Sequence, residues 1–375
     1  MVEESATTAQ ERLDRRYMAA ALRLSRRNAG RTSTNPAVGT ILVRDDGAGP
    51  MIVGTGVTAV GGRPHAEAEA LAQAGELSRG ATAYVTLEPC AHHGRTPPCA
   101  NALVNAGIVR VVGAASDPDS RVSGKGYAIL REAGIEVVER LLSAQASDQM
   151  AGYLIRSSRK RPEVILKLAI SSDGKIGAAG QGQITITGEA ARREVHLMRA
   201  EADAVLIGIG TALEDDPALT VRLPGLENRS PARIVLDREI RLPETSKLVA
   251  DADRVPLYIA SDTSANPHRK ATLERRGVRF IGTELHDGHI ALPELMEDLA
   301  ALGMASVLVE GGAAVASAFL ADGLADRIVL FYGPREIGPN GIVAPIDPDH
   351  IPQGFHKMRE MRLGEDSYAE WVRGY

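Results

Sequence analysis

The chain has 375 residues, which at roughly 150 residues per domain corresponds to two domains rather than one. Hydrophobic residues make up 44% and charged residues 24%, as in an ordinary globular protein and unlike a collagen, a disordered tail or a small disulfide scaffold. The net charge is −5, and the first 146 residues contain 16 basic against 15 acidic residues, which argues against a protein that binds duplex DNA or anionic membranes.

No run of about 18 apolar residues occurs, so no membrane span is predicted. The polar start MVEESATTAQERLDRR lacks the apolar core of a signal peptide. Cys90 and Cys99 are the two cysteines of the chain. Without a secretory signal, they are expected to be metal ligands or free thiols rather than a disulfide framework. The expected location is the cytoplasm.

In chain order, the first half alternates between helical and strand patterns. Apolar spacing predicts a helix over 11–29 that ends at Gly30. A later helix is expected to begin with Thr96 as its N-cap and Pro97 at its first position. The predicted strands are 37–43, 51–57, 81–87, 109–114 and 135–139, and the further helices are 64–74, 97–106 and 123–133. This alternation indicates a three-layer α/β domain.

A weakly periodic, basic segment at 147–162 is predicted to link a first domain, 1–146, to a second domain, 163–375. The second segment also alternates between the two patterns. Its predicted strands are 163–171, 204–209, 232–237, 255–260, 278–282, 305–310 and 326–333, and its predicted helices are 187–201, 292–302 and 312–322. The chain is therefore predicted to contain two α/β domains in tandem.

The strongest chemical pattern is PHAEAEAL followed by TLEPCAHHGRTPPC. His65 and Glu67 stand at the expected start of a helix, and Cys90 and Cys99 follow the next strand. One imidazole and two thiolates suit Zn²⁺, and three protein ligands leave the fourth tetrahedral position for water. Glu67 can then take a proton from this water and pass it to a leaving amine. The order H-x-E…P-C…C is that of the zinc nucleobase deaminases.

A structural zinc site is the alternative. It would need a fourth cysteine or histidine ligand, and His92 or His93 could supply one. An H-x-E pair alone, or a cysteine pair alone, is common by chance, but the two together in this order favour zinc. We favour an open, catalytic site with one zinc ion per chain.

The first half closely resembles the deaminase half of the bifunctional riboflavin-biosynthesis deaminase/reductase family. The resemblance rests on NPAVG, HAEAEAL and EPCAHHGRTPPC, which has eight residues between its cysteines where the usual zinc deaminases have two. It implies a cytidine-deaminase-like α/β/α domain in which His65, Cys90 and Cys99 bind zinc and Glu67 moves the proton. The substrate contacts that it implies are Asn35, His92 and Arg95.

The second half resembles the reductase domain of the same family in KLAISSDGKIG, in ARREVHLMRAEADAVLIGIGTALEDDPALTVR and in VEGGAAVASAFL. The resemblance implies a dihydrofolate-reductase-like α/β fold that uses NADPH. Glycines before a helix also suit a phosphate at the helix N-terminus, although the sequence has no complete G-x-G-x-x-G. The implied cofactor contacts are Ala169, Thr185, Thr211, Asp215 and Gly312. The implied substrate contacts are Lys167, Gln183, Arg199, Leu219, Arg222 and Glu310.

Two positions depart from the family pattern. Thr185 stands where the family usually has a tryptophan against the cofactor, and Arg238 stands where a serine is common. Arg238 either offers a cation to a 2′-phosphate or is a surface charge. Arg199 and Arg222 are the chemically suitable phosphate clamps, because a guanidinium can pair bidentately with a phosphate.

The expected function is therefore hydrolytic, zinc-dependent deamination of 2,5-diamino-6-(5-phosphoribosylamino)pyrimidin-4(3H)-one, followed by NADPH-dependent reduction of its ribosyl group to a ribityl chain. One alternative is a deaminase with an inactive reductase-like domain, which Thr185 supports. Another is a nucleic-acid-editing deaminase, which needs a basic, aromatic-lined channel. Tyr17 and Tyr84 are the aromatic residues of the first 120 positions, so such a channel is disfavoured. We expect a small-molecule substrate, no nucleic-acid or membrane partner, and a homo-oligomer.

Overall fold

The computed structural model describes residues 8–92, 97–119, 121–347 and 349–374. These divide into two compact units, Met1–Arg159 and Lys160–Tyr375. In the part of the chain that is described, no helix is both long and apolar enough to cross a membrane.

The first unit is a five-stranded sheet with helices packed on it. Its strands are β1 (Gly39–Arg44), β2 (Met51–Val57), β3 (Thr82–Leu87), β4 (Arg110–Ala115) and β5 (Glu136–Val138). Its helices are α1 (Ala9–Ser25), α2 (Ala66–Ala74), α3 (Cys99–Asn105), α4 (Lys125–Glu132), α5 (Ser143–Gln149) and α6 (Ala151–Arg159). The strand order is β2-β1-β3-β4-β5, in which β1 runs antiparallel to both neighbours and β3, β4 and β5 are parallel.

Local sequence accounts for where these helices begin and how closely they pack. Thr8 and Glu11 form a capping box that satisfies the first backbone amides of α1. Gly56 on β2 lets α2 approach the sheet, because a Cβ atom at this position would lie 2.0 Å from the carbonyl oxygen of Ala66. The first turn of α2 is thereby held against the sheet.

The second unit is built on a nine-stranded sheet. Its helices are α7 (Glu189–Glu201), α8 (Ile209–Asp215), α9 (Lys247–Ala250), α10 (Pro267–Glu274), α11 (Leu292–Ala301) and α12 (Ala313–Ala321). Its strands are β6 (Glu163–Ile170), β7 (Lys175–Ala178), β8 (Ala204–Gly208), β9 (Ala232–Leu236), β10 (Leu257–Asp262), β11 (Arg279–Thr283), β12 (Leu285–His286), β13 (His289–Ile290), β14 (Ser306–Val309), β15 (Arg327–Tyr332), β16 (Gly341–Val343), β17 (Phe355–Leu363) and β18 (Asp366–Arg373).

The order of the large sheet is β11-β10-β9-β8-β14-β6-β15-β18-β17. Strands β11 to β15 are parallel along this order, and β18 and β17 complete it in the antiparallel sense. The parallel strands are almost entirely buried, as is typical of strands covered on both faces by helices. Because β14 lies between β8 and β6, the residues that follow β14 come close to residues of β6.

Three regions differ from the sequence-based expectations. The segment 147–162, predicted as a linker, contains helix α6, which belongs to the first unit. The predicted strand 204–209 ends at Gly208, where α8 begins. The predicted helix 97–106 begins at Cys99 with Pro98 as its N-cap, and the proposed cap Thr96 lies outside the described residues.

Candidate functional site

The four residues predicted for the metal centre lie around the starts of two helices. His65 is the N-cap of α2, and Glu67 lies in the first turn of that helix. Cys90 follows β3, and Cys99 is the first residue of α3. The Cys99 backbone amide donates to Cys90 Sγ at 3.2 Å. Helix N-termini favour thiolates and carboxylates, so both helices stabilise negative charge here.

The donor atoms of His65, Cys90 and Cys99 converge. They all lie within 4.8 Å of one another, with His65 Nδ1 at 3.3 Å from Cys99 Sγ and 3.8 Å from Cys90 Sγ. Ligand bonds of about 2.0–2.3 Å in a tetrahedron place neighbouring donors roughly 3.3–3.8 Å apart. The spacing and the donor types therefore fit a zinc ion.

Glu67 lies buried beside this cluster. Glu67 is only 4% exposed, and its carboxylate lies within hydrogen-bonding reach of the Cys99 thiol. Burial, reinforced by the negative charge of Cys90, raises the pKa of Glu67 to about 7. The carboxyl group is therefore within reach of groups bound at the cluster while remaining shielded from bulk water.

The two thiols shift each other's pKa in opposite directions. The hydrogen bond donated by the Cys99 thiol lowers the pKa of Cys90 to about 4, and the same bond raises the pKa of Cys99. A hydrogen bond to Cys90 also raises the pKa of His65, whose Nε2 is buried with no partner in the described part of the chain. The cluster has an excess of electron-pair donors, which is the requirement of a cation site.

Of the three substrate residues predicted for the first unit, the structure describes Asn35 and His92. Asn35 lies in the loop before β1, with its side-chain amide against the backbone of Gly62, three residues before His65. His92 Nδ1 is buried without a hydrogen-bond partner among the described residues. Arg95 lies outside the described residues, as does His93. His92 is not one of the converging metal donors.

Two acidic residues near the cluster were not singled out from the sequence. Glu88, two residues before Cys90, accepts the amides of Gly124 and Gly126 at 3.1 and 3.0 Å. Asp117, which follows β4, is 5% exposed. The adjacency of Glu88 to Cys90 was the only signal in the sequence for either residue.

In the second unit, three predicted substrate residues form a buried charged cluster. Arg199 on α7 pairs bidentately with Glu310, with Nε–Oε1 at 2.6 Å and Nη2–Oε2 at 3.0 Å. Their side chains are 12% and 9% exposed. Although burial opposes its ionisation, Arg199 and Lys167 hold the pKa of Glu310 below its usual value. Burial lowers the pKa of Lys167, with Glu310 opposing.

Thr211 and Gly312, both predicted to contact the cofactor, lie side by side. A Cβ atom at Gly312, the N-cap of α12, would lie 3.4 Å from Thr211 Oγ1 on α8. Asp215 is the last residue of α8, and burial, followed by the charge of Glu214, raises its pKa. The starts of α8 and α12 are thus adjacent, as a site for a bound anion requires.

The remaining predicted cofactor residues lie on β6 and in the loop before α7. Ala169 is two residues after Lys167 on β6, so both project from the same face of the sheet. Thr185 is exposed, and its carbonyl oxygen accepts a hydrogen bond from Arg335 at 3.0 Å. Arg238 donates to the carbonyl oxygen of Gly288 and pairs with Glu239 at 3.1 Å, so its charge is already partnered at the surface.

The other substrate candidates differ in exposure. Leu219 is buried with a φ of 55°, whereas Gln183 and Arg222 are exposed. In the described part of the chain, no hydrogen bond or ion pair of Arg222 is observed.

His196, one turn before Arg199, was not singled out from the sequence. Its Nδ1 is buried without a partner in the part of the chain that is described, and burial, then Arg199 and Arg222, lower its pKa.

Comparison with protein families matches each unit separately. Residues 11–115 match the family model for the cytidine and deoxycytidylate deaminase zinc-binding region. Residues 162–367 match the family model for the RibD C-terminal domain.

Full-length relatives cover both units. The riboflavin biosynthesis protein RibD of Aquifex aeolicus is 37% identical to this chain, and the match covers 94% of this chain and 97% of that protein. RibD of Escherichia coli is 39% identical, and the match covers 87% of this chain and 89% of that protein. The structure of Acinetobacter baumannii RibD covers 97% of this chain and 100% of its own, with 35% identity and a TM-score of 0.83. A Thermotoga maritima diaminohydroxyphosphoribosylaminopyrimidine deaminase/5-amino-6-(5-phosphoribosylamino)uracil reductase has the same coverages, with 31% identity and a TM-score of 0.84. The predicted two-domain α/β fold is confirmed.

Proposed function

This chain belongs to the RibD family of riboflavin biosynthesis proteins, and from that premise we propose how its own residues carry out the two reactions of a bifunctional deaminase and reductase. The first unit carries the zinc-binding deaminase domain, and the second carries the reductase domain. The cofactors are zinc and NADPH, and the substrate is a small molecule. The residue assignments below are the proposal.

The deaminase centre is formed by His65, Cys90, Cys99 and Glu67. His65 Nδ1 and the two sulfur atoms hold zinc, which when bound supplies Lewis-acid activation of water. The Glu67 carboxylate accepts a proton from the attacking water. It then donates this proton to the 2-amino nitrogen of the pyrimidine as the carbon–nitrogen bond breaks, so that ammonia leaves and a carbonyl group remains.

One observation carries this assignment. A buried carboxyl group touches one member of a convergent histidine and cysteine cluster, on two helix N-termini that favour negative charge. Asn35 and His92 line the approach and would orient the pyrimidine. Arg95 is retained as the phosphate anchor from the family resemblance alone.

Metal analysis of the purified protein tests the assignment. We expect one zinc ion per chain in the wild type and a reduced zinc content in Cys99→Ser, with deamination falling in proportion to zinc. Fully deaminating protein without metal after exhaustive chelation would overturn the assignment.

In the reductase, NADPH when bound would supply a hydride to C1 of the ribosyl group. The bond between C1 and the ring oxygen breaks, the ring oxygen takes a proton from water, and a ribityl chain results. Thr211, Asp215 and the amide of Gly312 hold the cofactor, and Ala169 and Thr185 complete its site. The adjacency of Thr211 and Gly312 supports this assignment.

The two arginines proposed as substrate contacts of the reductase differ in whether their charge is already paired. Arg199 is already paired with Glu310, so Arg222, which is exposed, is the better phosphate clamp. Lys167 and the Arg199–Glu310 pair then face the sugar, with Gln183 and Leu219 beside them. This assignment revises the expectation that Arg199 clamps the phosphate.

An assay of each half-reaction tests the two functions separately. We expect ammonia release from the diaminopyrimidine without NADPH, and NADPH oxidation only after deamination. NADPH oxidation also excludes the alternative of an inactive second unit. A domain boundary after α6, between Arg159 and Lys160 rather than near 146, a cytoplasmic location and a homo-oligomeric state complete the proposal. Limited proteolysis, cell fractionation and light scattering test them.

A further inference from the structure

Helix α6, the last element of the first unit, carries two side chains that contact distant loops. Arg156 Nη2 donates to the carbonyl oxygen of Thr34 at 2.7 Å. Tyr153 Oη donates to Asp117, with both carboxylate oxygens at 3.1 Å. Tyr153 and Arg156 are three residues apart and therefore lie on the same face of the helix.

The loop that Arg156 contacts carries Asn35. Thr32 Oγ1 donates to the backbone carbonyl oxygen of Asn35 at 2.7 Å. The backbone amide of Asn35 donates in turn to the backbone carbonyl oxygen of Thr32 at 3.2 Å. The Asn35 side chain packs on Gly62, where a Cβ atom would lie 2.3 Å from Nδ2. The Arg156 contact therefore holds a compact turn against the segment that leads to His65.

The loop that Tyr153 contacts leads to Gly126, which packs against the residue before Cys90. A Cβ atom at Gly126 would lie 2.0 Å from the carbonyl oxygen of Pro89. The same loop is held from the other side by Glu88, whose carboxylate accepts the amides of Gly124 and Gly126. Both loops that α6 contacts therefore border the deaminase centre.

We propose that α6 positions these two loops for the deaminase substrate, with Arg156 and Tyr153 as positioning residues that do not touch the reacting atoms. The inference rests on the proposed function, since it takes Asn35 and His92 as substrate contacts. The segment 147–162 was predicted as a linker, but through α6 it would then shape the substrate site of the deaminase.

Arg156→Met is the main test. It keeps the aliphatic stem and removes the donor to Thr34. Because active sites lose about 100-fold for a misplacement of roughly 1 Å, we expect deamination kcat/KM to fall ten- to hundredfold, mainly through KM. Zinc content should stay at the wild-type value. The reduction of the deaminated intermediate should not change.

Arg156→Lys is the matched rescue. Arg156 Nε is buried without a partner in the described part of the chain, so a lysine retains a donor for the one contact observed. We expect it to recover most of the lost kcat/KM. Tyr153→Phe removes only the hydroxyl group and should raise KM about two- to fivefold, as for one modest hydrogen bond. Ser158→Ala on the exposed face of the same helix is the control and should behave as the wild type.

The outcomes separate the inference from the function on which it rests. Wild-type protein without deamination refutes the proposed function. The positioning role is overturned if the wild-type protein is active and the KM values of Arg156→Met and Tyr153→Phe equal that of Ser158→Ala. A fall in kcat with lost zinc also overturns it, because this result shows a structural role. If Arg156→Met does not fold, the KM values of Arg156→Lys and Tyr153→Phe decide in the same way.

Discussion

Two of the buried polar clusters of this protein, one from each unit, differ in their electrostatics. The first, formed by His65, Cys90, Cys99 and Glu67, contains electron-pair donors without a cationic side chain among them. The second, formed by Lys167, Arg199 and Glu310, contains both signs of charge and a bidentate ion pair.

This difference determines what each cluster contributes. The first cluster requires an added cation, and its members lie at helix starts and in a loop, so a change there alters chemistry more than folding. The second cluster neutralises its carboxylate with its own cations. Removal of one partner there leaves an uncompensated buried charge, which is strongly destabilising. The four predictions below test this contrast.

The largest effect is expected for Glu67→Gln. The amide keeps the volume of the side chain but cannot carry the proton, so deamination should fall by about 10²–10⁴-fold. Zinc content should be that of the wild type, as should NADPH oxidation when the deaminated intermediate is supplied as substrate. The matched control is Glu69→Gln on the same helix, where the Glu69 carboxylate accepts the backbone amide of Val57. Near-normal deamination by Glu67→Gln would show that another residue moves the proton.

Arg199→Met should have the next largest effect, here on stability. Glu310 would remain buried with Lys167 alone, so the free energy of unfolding of the second unit should fall by about 3–5 kcal/mol. Trp371 is the one tryptophan of the chain and lies buried in β18, so its fluorescence reports the unfolding of this unit. Arg193→Met, exposed on the same helix, is the control. Equal stability of the two variants would contradict the electrostatic role assigned to the pair.

Arg222→Ala should affect binding without affecting stability. Its side chain is exposed, so folding should not change, whereas the loss of a charge-assisted bond to the substrate phosphate costs about 1.5–3 kcal/mol. We expect a raised KM for the reduction and unchanged deamination. An unchanged KM would show that another residue binds the substrate phosphate.

The smallest effect is expected for Gly312→Ala, compared with Gly311→Ala. The φ of Gly312 is −70°, and an added Cβ would meet only Thr211 Oγ1, at 3.4 Å, so the variant should fold normally and lose several-fold in NADPH affinity. A Cβ at Gly311 would lie 2.6 Å from Val315 Cβ, so that variant should lose about 1–3 kcal/mol of stability. Calorimetric titration with NADPH measures the first effect. Wild-type affinity in Gly312→Ala would place the cofactor elsewhere.

The deaminase cluster could be predicted from the sequence because its signals are local. His65, Cys90 and Cys99 lie within 35 consecutive residues, each beside a helix or strand with a clear pattern. Side-chain chemistry then favoured zinc as the ligand and Glu67 as the proton carrier, and the family resemblance implied the same roles. The same local patterns identified most buried strands, because parallel strands are continuous apolar runs.

Other elements were not predictable in this way. The antiparallel pair β17 and β18 was missed because β17 is largely exposed and lacks alternating hydrophobic residues, so its position depends on its pairing with β18. Helix α6 was interpreted as a linker because its contacts are distant in sequence: Arg156 lies 122 residues from Thr34.

The charged cluster of the second unit depended on tertiary structure most of all. Arg199 and Glu310 are 111 residues apart, and each alone is compatible with a solvated surface position. The sequence determined their residue types and their places at the end of a helix and of a strand. Only the strand order, in which β14 inserts between β8 and β6, brings Glu310 to Arg199 and Lys167. Strand order is decided by the packing of the whole sheet, because hydrogen bonding between parallel strands does not depend on which side chains they carry.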